Sequence, residues 1–445
     1  MVNTLAQHLE CFTKFLRAVP GSRRVSHVCS SWRTFQVIFA TLLIVVTFHV
    51  FSKHQFELTD SVARLWIRAV YKHTRCTDVI RQMRKGKWQL RHDLQPADEL
   101  YRRKQDIRIR KLRGLPSTLH REDMHCGNMF PINAPDFGAA IPSLCDPLSL
   151  APCCNHVSAT CGSGKENCAC DRCTDFRNTV DAELNEFVTF SGCHFKNFTS
   201  KQACQLLSER VSSIELIGDS LVRHFHNALM ILFTDDRETG CLVKDMDETH
   251  RKLCSGDIQF VDAGKLACHG KTAKNISQLP PGKFCFGKQD FEYSFHEFYS
   301  MSYAEMALSK VRAKLNKTNS VIALGVGLHI SLDANKVFTG YLLPMVQLKE
   351  QAASKWPLIV WLTTHAHGNL KPIAFLESQG NEKISRFNSD MREFLEPIGV
   401  PVFDTFNLTL GVHSYDGTHY GFGVNMMKAQ LFMNFLDETF QKKGF

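Results

Sequence analysis

Several things are scarce or missing in this chain. No cysteine follows Cys285, although the chain holds 17 and runs on to Phe445. No Asp, Glu, Lys or Arg occurs between Thr34 and Phe51, a run of 18 residues. No internal repeat is found, which excludes a solenoid or a propeller. Proline and glycine stand at ordinary levels, 15 and 26 of 445 residues, which excludes a collagen-like or low-complexity chain. No nucleic-acid-binding motif has the spacing it needs, and no metal-binding helix motif accompanies the histidines.

What is present suits a globular protein. The length allows one large domain or two ordinary ones. Apolar residues make up 44% of the chain and phenylalanine alone numbers 33, ample for a core. The net charge is +9. From Arg75 to Glu122 there are 14 lysines and arginines against 6 acidic residues. Such a segment binds nucleic acid, acidic glycans or lipid headgroups, or is simply a solvated stalk, which is the plainer reading. With no motif to support it, nucleic acid is not expected as a partner.

The uncharged run from Thr34 to Phe51 just reaches the length of a membrane-spanning helix. It begins too deep in the chain for an ordinary signal peptide, and no small-residue cleavage site follows it. Flanking charge does not orient it: Lys14, Arg17, Arg23, Arg24 and Arg33 precede it, and Lys53, Arg64, Arg68, Lys72 and Arg75 follow. Two other signals do. The glycosylation acceptors Asn197, Asn275, Asn316 and Asn407 all come after the run. So do all the cysteines except Cys11 and Cys29, 14 of them between Cys126 and Cys285, as expected for disulfides in an oxidising compartment. Cys168, Cys170 and Cys173 also have metal-like spacing, and Cys153, Cys154, Cys161 or His156 would complete a zinc set. Disulfides are the preferred reading, of undetermined connectivity, and no metal is expected. The layout is that of a single-pass type II protein of the Golgi or endoplasmic reticulum. It has a cytosolic tail over 1–33, a span over 34–51, a basic luminal stem over 52–125, a cysteine-rich region over 126–204 and a last domain over 205–445.

In that last region short apolar runs alternate with helical patterns. "SSIELIG", "SVIALGVG", "PLIVWLTT" and "GVPVFDT" read as strands. "SKQACQLLSERV", "SLVRHFHNALMILF" and segments near 333–354, 382–395 and 422–440 read as helices. This predicts an α/β fold, a three-layer sandwich with a central parallel sheet covered on both faces. Sites in such sheets gather at the carboxyl ends of the strands. Ser220 follows the first strand, Gly325 and Gly327 close the second, and Asp416 and His419 follow the last. A serine hydroxyl needs a base to become a nucleophile. Histidine is the usual base, and a carboxylate fixes its tautomer. The tetrahedral intermediate then needs donors, for which the N–H of Ser220 at a helix N-terminus and that of Gly325 or Gly327 are candidates. Each piece has a plainer reading. Asp219 or Ser220 caps a helix, the glycines serve packing, and His224 and His226 are structural. His365 and His367 lie at a strand end as possible pocket residues.

Together, Gly218-Asp219-Ser220-Leu221-Val222-Arg223, "LGVGLH" and Asp416-Gly417-Thr418-His419 resemble the SGNH (GDSL-type) hydrolase superfamily. Within it they resemble the PC-esterase group that includes the trichome birefringence-like glycan O-acetyltransferases. The resemblance covers roughly 205–440. It implies an SGNH/flavodoxin-like fold with Ser220 as nucleophile, His419 as base and Asp416 as its partner. Gly218, Asp219, Arg223, Gly325, Gly327 and His365 would serve as oxyanion or substrate-binding residues. The superfamily's third-block asparagine has no counterpart at "WLTTHAHGN", where Asn369 comes late. Which of Gly325, Gly327, Arg223 and His365 completes the oxyanion site stays open. The function implied is a luminal O-acyltransferase or esterase, most simply for O-acetyl groups on glycans, working through an acyl-serine. It would have a glycan or glycoconjugate acceptor, no cofactor, and an unknown acyl donor, for which a donor protein is one candidate. The competing reading is a non-catalytic glycan-binding or cell-surface module that retains the fold.

Overall fold

The computed structural model describes residues 74–442 apart from 115–119, 128, 132–139, 147–148, 156, 165–172, 176–178, 262–267 and 269. The chain divides into two units, Met1–Val70 and Tyr71–Phe445, and every described residue belongs to the second. The expected tail and span, 1–51, lie outside the described residues. Among the described residues no helix is long and apolar enough to cross a membrane.

Five parallel strands form the central sheet: β1 (Ser213–Gly218), β2 (Glu292–His296), β3 (Ser320–Gly325), β4 (Leu358–Leu362) and β5 (Val402–Phe403). Their spatial order is β5-β4-β3-β1-β2, with every neighbouring pair parallel. The chain therefore starts in the middle, steps to one edge, then crosses back and runs to the other edge. The helices that matter here are α1 (Pro96–Leu112), α2 (Ser200–Arg210), α3 (Ser220–Thr234), α4 (Ala304–Lys314), α5 (Leu343–Gln351), α6 (Asn381–Leu395) and α7 (Phe422–Lys442).

Successive strand residues point to opposite faces, and here both faces are buried. Ile214, Leu216, Val321, Ala323, Val360, Leu362 and Phe403 pack with α2, α3 and α7. Ile217, Ile322, Leu324, Ile359, Trp361 and Val402 pack with α4, α5 and α6. Two-sided burial explains why β1 and β3 read as continuous apolar runs rather than alternating ones. Helix α3 is buried from Leu221 to Thr234, and the buried run takes in Arg223, His224, His226 and Asn227 as well as its apolar residues.

Residues 74–114, expected as part of a stem, instead fold into this unit. Gly86–Leu90 pairs antiparallel with Asn185–Thr189, Trp88 Nε1 donates to the Leu408 carbonyl at 2.8 Å, and Cys76 is bonded to Cys193. Helix α1 opens on Pro96, with Asp98 accepting from the Gln95 N–H at 2.9 Å. The boundary expected at residue 205 falls inside α2, which begins at its capping box of Thr199 and Gln202.

Disulfides are present as expected, joining Cys126 to Cys154, Cys145 to Cys161, Cys204 to Cys285 and Cys254 to Cys268 as well as Cys76 to Cys193. Cys153 is also disulfide-bonded. That removes Cys153, Cys154 and Cys161 from the alternative zinc set, since a disulfide sulfur is no thiolate ligand. Cys168, Cys170 and His156 lie outside the described residues. The one cluster of potential metal ligands among the described residues, Cys126, Cys145 and Cys161, consists of these disulfide sulfurs.

The core between the sheet and α7 turns on Phe432, which meets Phe225 edge-on at 5.4 Å and Phe403 at 5.7 Å. Phe432→Ala is expected to cost about 3–5 kcal/mol, read as a lower urea midpoint of the disulfide-intact protein. An unchanged midpoint would mean that this side of the core is not load-sharing.

Candidate active site

The site sits where the strand order reverses, between β1 and β3, the usual place for a ligand crevice in an open parallel sheet. Gly218 and Gly325 are partners in the register, so Ser220 and Gly327 each lie two residues past the same rung. A Cβ on Gly218 would fall 2.3 Å from the Gly325 carbonyl oxygen and from Val222. This close approach lets the chain turn from β1 directly into α3. Asp219 caps α3, its Oδ1 accepting from the Leu221 N–H at 2.9 Å, and half-buried Ser220 is the first helical residue.

The loop between β5 and α7 brings the other two residues to it. His419 Nε2 lies 2.8 Å from Ser220 Oγ. His419 Nδ1 lies 2.7 Å from Asp416 Oδ2. Asp416 Oδ1 accepts from the N–H groups of Thr418 at 2.7 Å and His419 at 2.6 Å. Between them Gly417 adopts φ +82°, and a Cβ there would sit 1.9 Å from the Lys371 backbone nitrogen, so only glycine fits. The Tyr415 N–H donates to the His419 carbonyl at 2.9 Å, closing the loop. The His419 ring stacks on His224, one helical turn past Ser220, at 4.8 Å and 24°.

Burial alone would raise the Asp416 pKa. The facing charges of His419 and Arg113, with the hydrogen bonds from His419, hold it instead well below the usual carboxylate range. A carboxylate at Oδ2 keeps a proton on His419 Nδ1 and leaves the Nε2 lone pair toward Ser220 Oγ. This is the arrangement of a general base beside a nucleophile. The 15-residue helix α3 also points its N-terminus at the same place, which favours negative charge there.

Three buried groups brace the histidine loop from behind. Lys428 Nζ donates to His365 Nδ1 at 2.7 Å, and His365 Nε2 donates to the Thr418 carbonyl at 2.7 Å. Lys371 Nζ donates to Thr418 Oγ1 at 2.8 Å. Burial pushes the His365 pKa far down. It pushes Lys428 down to about 7 and Lys371 down to about 8.

The remaining sequence candidates separate. Ser220, Asp416 and His419 meet. Gly327 stands beside the Phe387 ring, and Gly325 approaches Leu362 and Val222. Arg223 is buried one turn past Ser220 and ion-paired with Glu297, with Lys274 3.3 Å from the other Glu297 oxygen. His365 was a candidate oxyanion or substrate residue. Both of its ring nitrogens are engaged within the protein, so it acts as a prop for Thr418. Asn369 is exposed and donates to Thr179, away from the third-block role. His226 is structural, with its ring nitrogens at the Tyr293 hydroxyl and the Ala273 carbonyl. Asn197, Asn316 and Asn407 are exposed, and Asn275 is half-buried. The sequence reading missed Arg113, Lys371 and Lys428.

No family model matches the chain, and no curated protein does. The chemistry of the site therefore rests on its own geometry.

Lys428 supplies a pH signature. An unfolded lysine titrates near 10.4, while folded Lys428 stands at about 7. Between those values the unfolded chain binds more protons, so stability rises with pH. In urea denaturation, stability is expected to climb from about pH 7 to about pH 9, and Lys428→Met is expected to flatten that climb. Equal slopes would contradict a lysine held largely neutral in the fold.

Proposed function

We propose that this chain is a serine-dependent acyl-transfer enzyme of the SGNH type, an O-acyltransferase or esterase working through an acyl-Ser220. The observation that carries the reading is the continuous hydrogen-bonded line from Ser220 Oγ through His419 to Asp416, at 2.8 and 2.7 Å. The strand order supports an SGNH/flavodoxin-like three-layer sandwich, because in chain order it runs 2-1-3-4-5.

The proposed reaction has two halves. Ser220 Oγ attacks the acyl carbonyl carbon as its proton passes to His419 Nε2. The negative charge collects on the carbonyl oxygen, near the Ser220 N–H and the loop carrying Gly327. Collapse breaks the ester bond, and His419 returns the proton to the departing alcohol, leaving acyl-Ser220. A water or acceptor hydroxyl then gives its proton to His419 and attacks the same carbon, and His419 passes that proton to Ser220 Oγ as the acyl–Oγ bond breaks, restoring free Ser220 and neutral His419. Water makes the protein an esterase, and a sugar hydroxyl makes it a transferase. An acetyl group and a glycan acceptor are the chemistry implied by the sequence resemblance. The disulfides and the accessible acceptor asparagines support a luminal home in the Golgi or endoplasmic reticulum, anchored through 34–51.

Full-length wild type is expected to react with a fluorophosphonate probe, and Ser220→Ala is expected to lose that labelling while keeping its melting behaviour. Absence of labelling in folded wild type would remove the nucleophile and leave a binding module. Separately, glycosidase treatment of the cell-expressed protein is expected to lower its mass, and an unchanged mass would contradict the luminal placement.

A further inference from the structure

Helix α1 presents one stripe, Arg102, Asp106, Ile109 and Arg113, spaced as one helical face, to the loop that carries Asp416 and His419. The Arg102 guanidinium lies over the Tyr415 ring at 5.6 Å and pairs with Asp181 at 2.8 Å. Asp106 Oδ1 lies 2.9 Å from His413 Nε2. Capping the end of the helix, Arg113 Nη2 lies 3.1 Å from Asp416 Oδ2, the same oxygen that faces His419 Nδ1. Both side chains of this ion pair are almost fully buried, at 3% and 6% exposure.

We infer that Arg113 is a positioning residue of the proposed reaction: it holds the Asp416 carboxylate in place and sets the pH at which His419 can take the proton of Ser220. This rests on the reading of Ser220 as nucleophile. The segment that looks like a solvated basic stem is thereby a working part of the active unit.

A carboxylate with Oδ1 fixed by two backbone N–H groups can still rotate or exchange partners at Oδ2. A guanidinium on Oδ2 restrains that oxygen while leaving room for His419 Nδ1–H. A fixed positive charge beside the Asp416–His419 pair also opposes uptake of a second positive charge on the imidazole. The imidazole then stays available as a base at lower pH. Other groups also face the pair: His224 on α3, Asp219 beside Ser220, His365, Lys371 and Tyr420, with Lys428 behind His365. All of these residues are kept when Arg113 alone is replaced, so a variant at 113 removes only the guanidinium.

The test is the rate of fluorophosphonate labelling of Ser220 against pH, in full-length wild type, Arg113→Met and Arg113→Lys, with melting curves beside each. Arg113→Met is expected to move the acid limb of the profile up by roughly one pH unit, a tenfold slower labelling at the low-pH end. Arg113→Lys, which keeps the charge, is expected to bring the limb back toward wild type. A purely structural arginine would lower the folded fraction and leave the limb where it was. Folded Arg113→Met with the wild-type limb overturns the inference, and so does Arg113→Lys displaced as far as Arg113→Met. If Arg113→Met does not fold, Arg113→Lys decides alone, since a displaced limb in that charge-keeping variant overturns the inference. Wild type that never labels is a different failure, which removes the serine reading and this inference with it.

Discussion

The buried carboxylate of Asp416 is the constraint around which this site is arranged. An anion out of water is costly unless charge and hydrogen bonds compensate it. Asp416 gets both, from its own loop and from a helix far away in the sequence. Two backbone N–H groups bind one oxygen, and the His419 ring and Arg113 share the other. The backbone contribution needs Gly417 in a left-handed conformation, pressed against the Lys371 backbone. The Arg113 contribution needs α1 to lie on the loop, with Cys76–Cys193 and the Gly86–Leu90 pairing tying that part of the chain down. The geometry of the Ser220–His419–Asp416 site and the packing of the segment from 74 to 114 are therefore one problem.

What could be read in the sequence follows from which physical signal each element carries. The buried strands were legible because two-sided burial demands unbroken apolar runs, and α3 because Leu221, Phe225, Leu229 and Leu232 recur at helical spacing. α6 and α7 were legible through helical periodicity. That Ser220, Asp416 and His419 would meet was legible because Gly-Asp-Ser and Asp-Gly-Thr-His sit at strand-to-helix turns. Edge strand β2 was missed: it reads Glu-Tyr-Ser-Phe-His, with Tyr293 and Phe295 buried between more exposed polar neighbours, and so lacks the unbroken apolar run of the inner strands. Helix α1 was missed for a different reason. Its buried face is made of Arg102, Ile109 and Arg113 rather than leucines, so hydrophobic periodicity is nearly absent and the segment looks like a stalk. Charges paired across 80 residues or several hundred leave no local pattern. The bracing lysines share this property, since nothing near Lys371 or Lys428 in the chain announces Thr418 or His365 as a partner.

The electrostatics around Ser220 Oγ bear on how negative charge is accommodated there. Arg223, the obvious cation one turn into α3, is ion-paired to Glu297, so much of its charge is offset locally. Asp219, immediately before the serine, would oppose a developing oxyanion if fully ionised. Burial raises its pKa, with His329, His419 and Arg223 pulling the other way. Its Oδ1 is already committed to the Leu221 N–H. The charged side chains nearest Ser220 are thus already engaged within the protein. In the proposed reaction the stabilisation of charge would then fall to backbone dipoles: the N-terminus of α3 and the glycine-bearing loop after β3, two residues past the rung where Gly218 meets Gly325. Such dipoles are fixed by the fold before any substrate arrives, which is the condition under which they lower a barrier most. The same close approach of β1 and β3 that forbids a side chain at Gly218 therefore also fixes the distance between Ser220 and the loop that faces it.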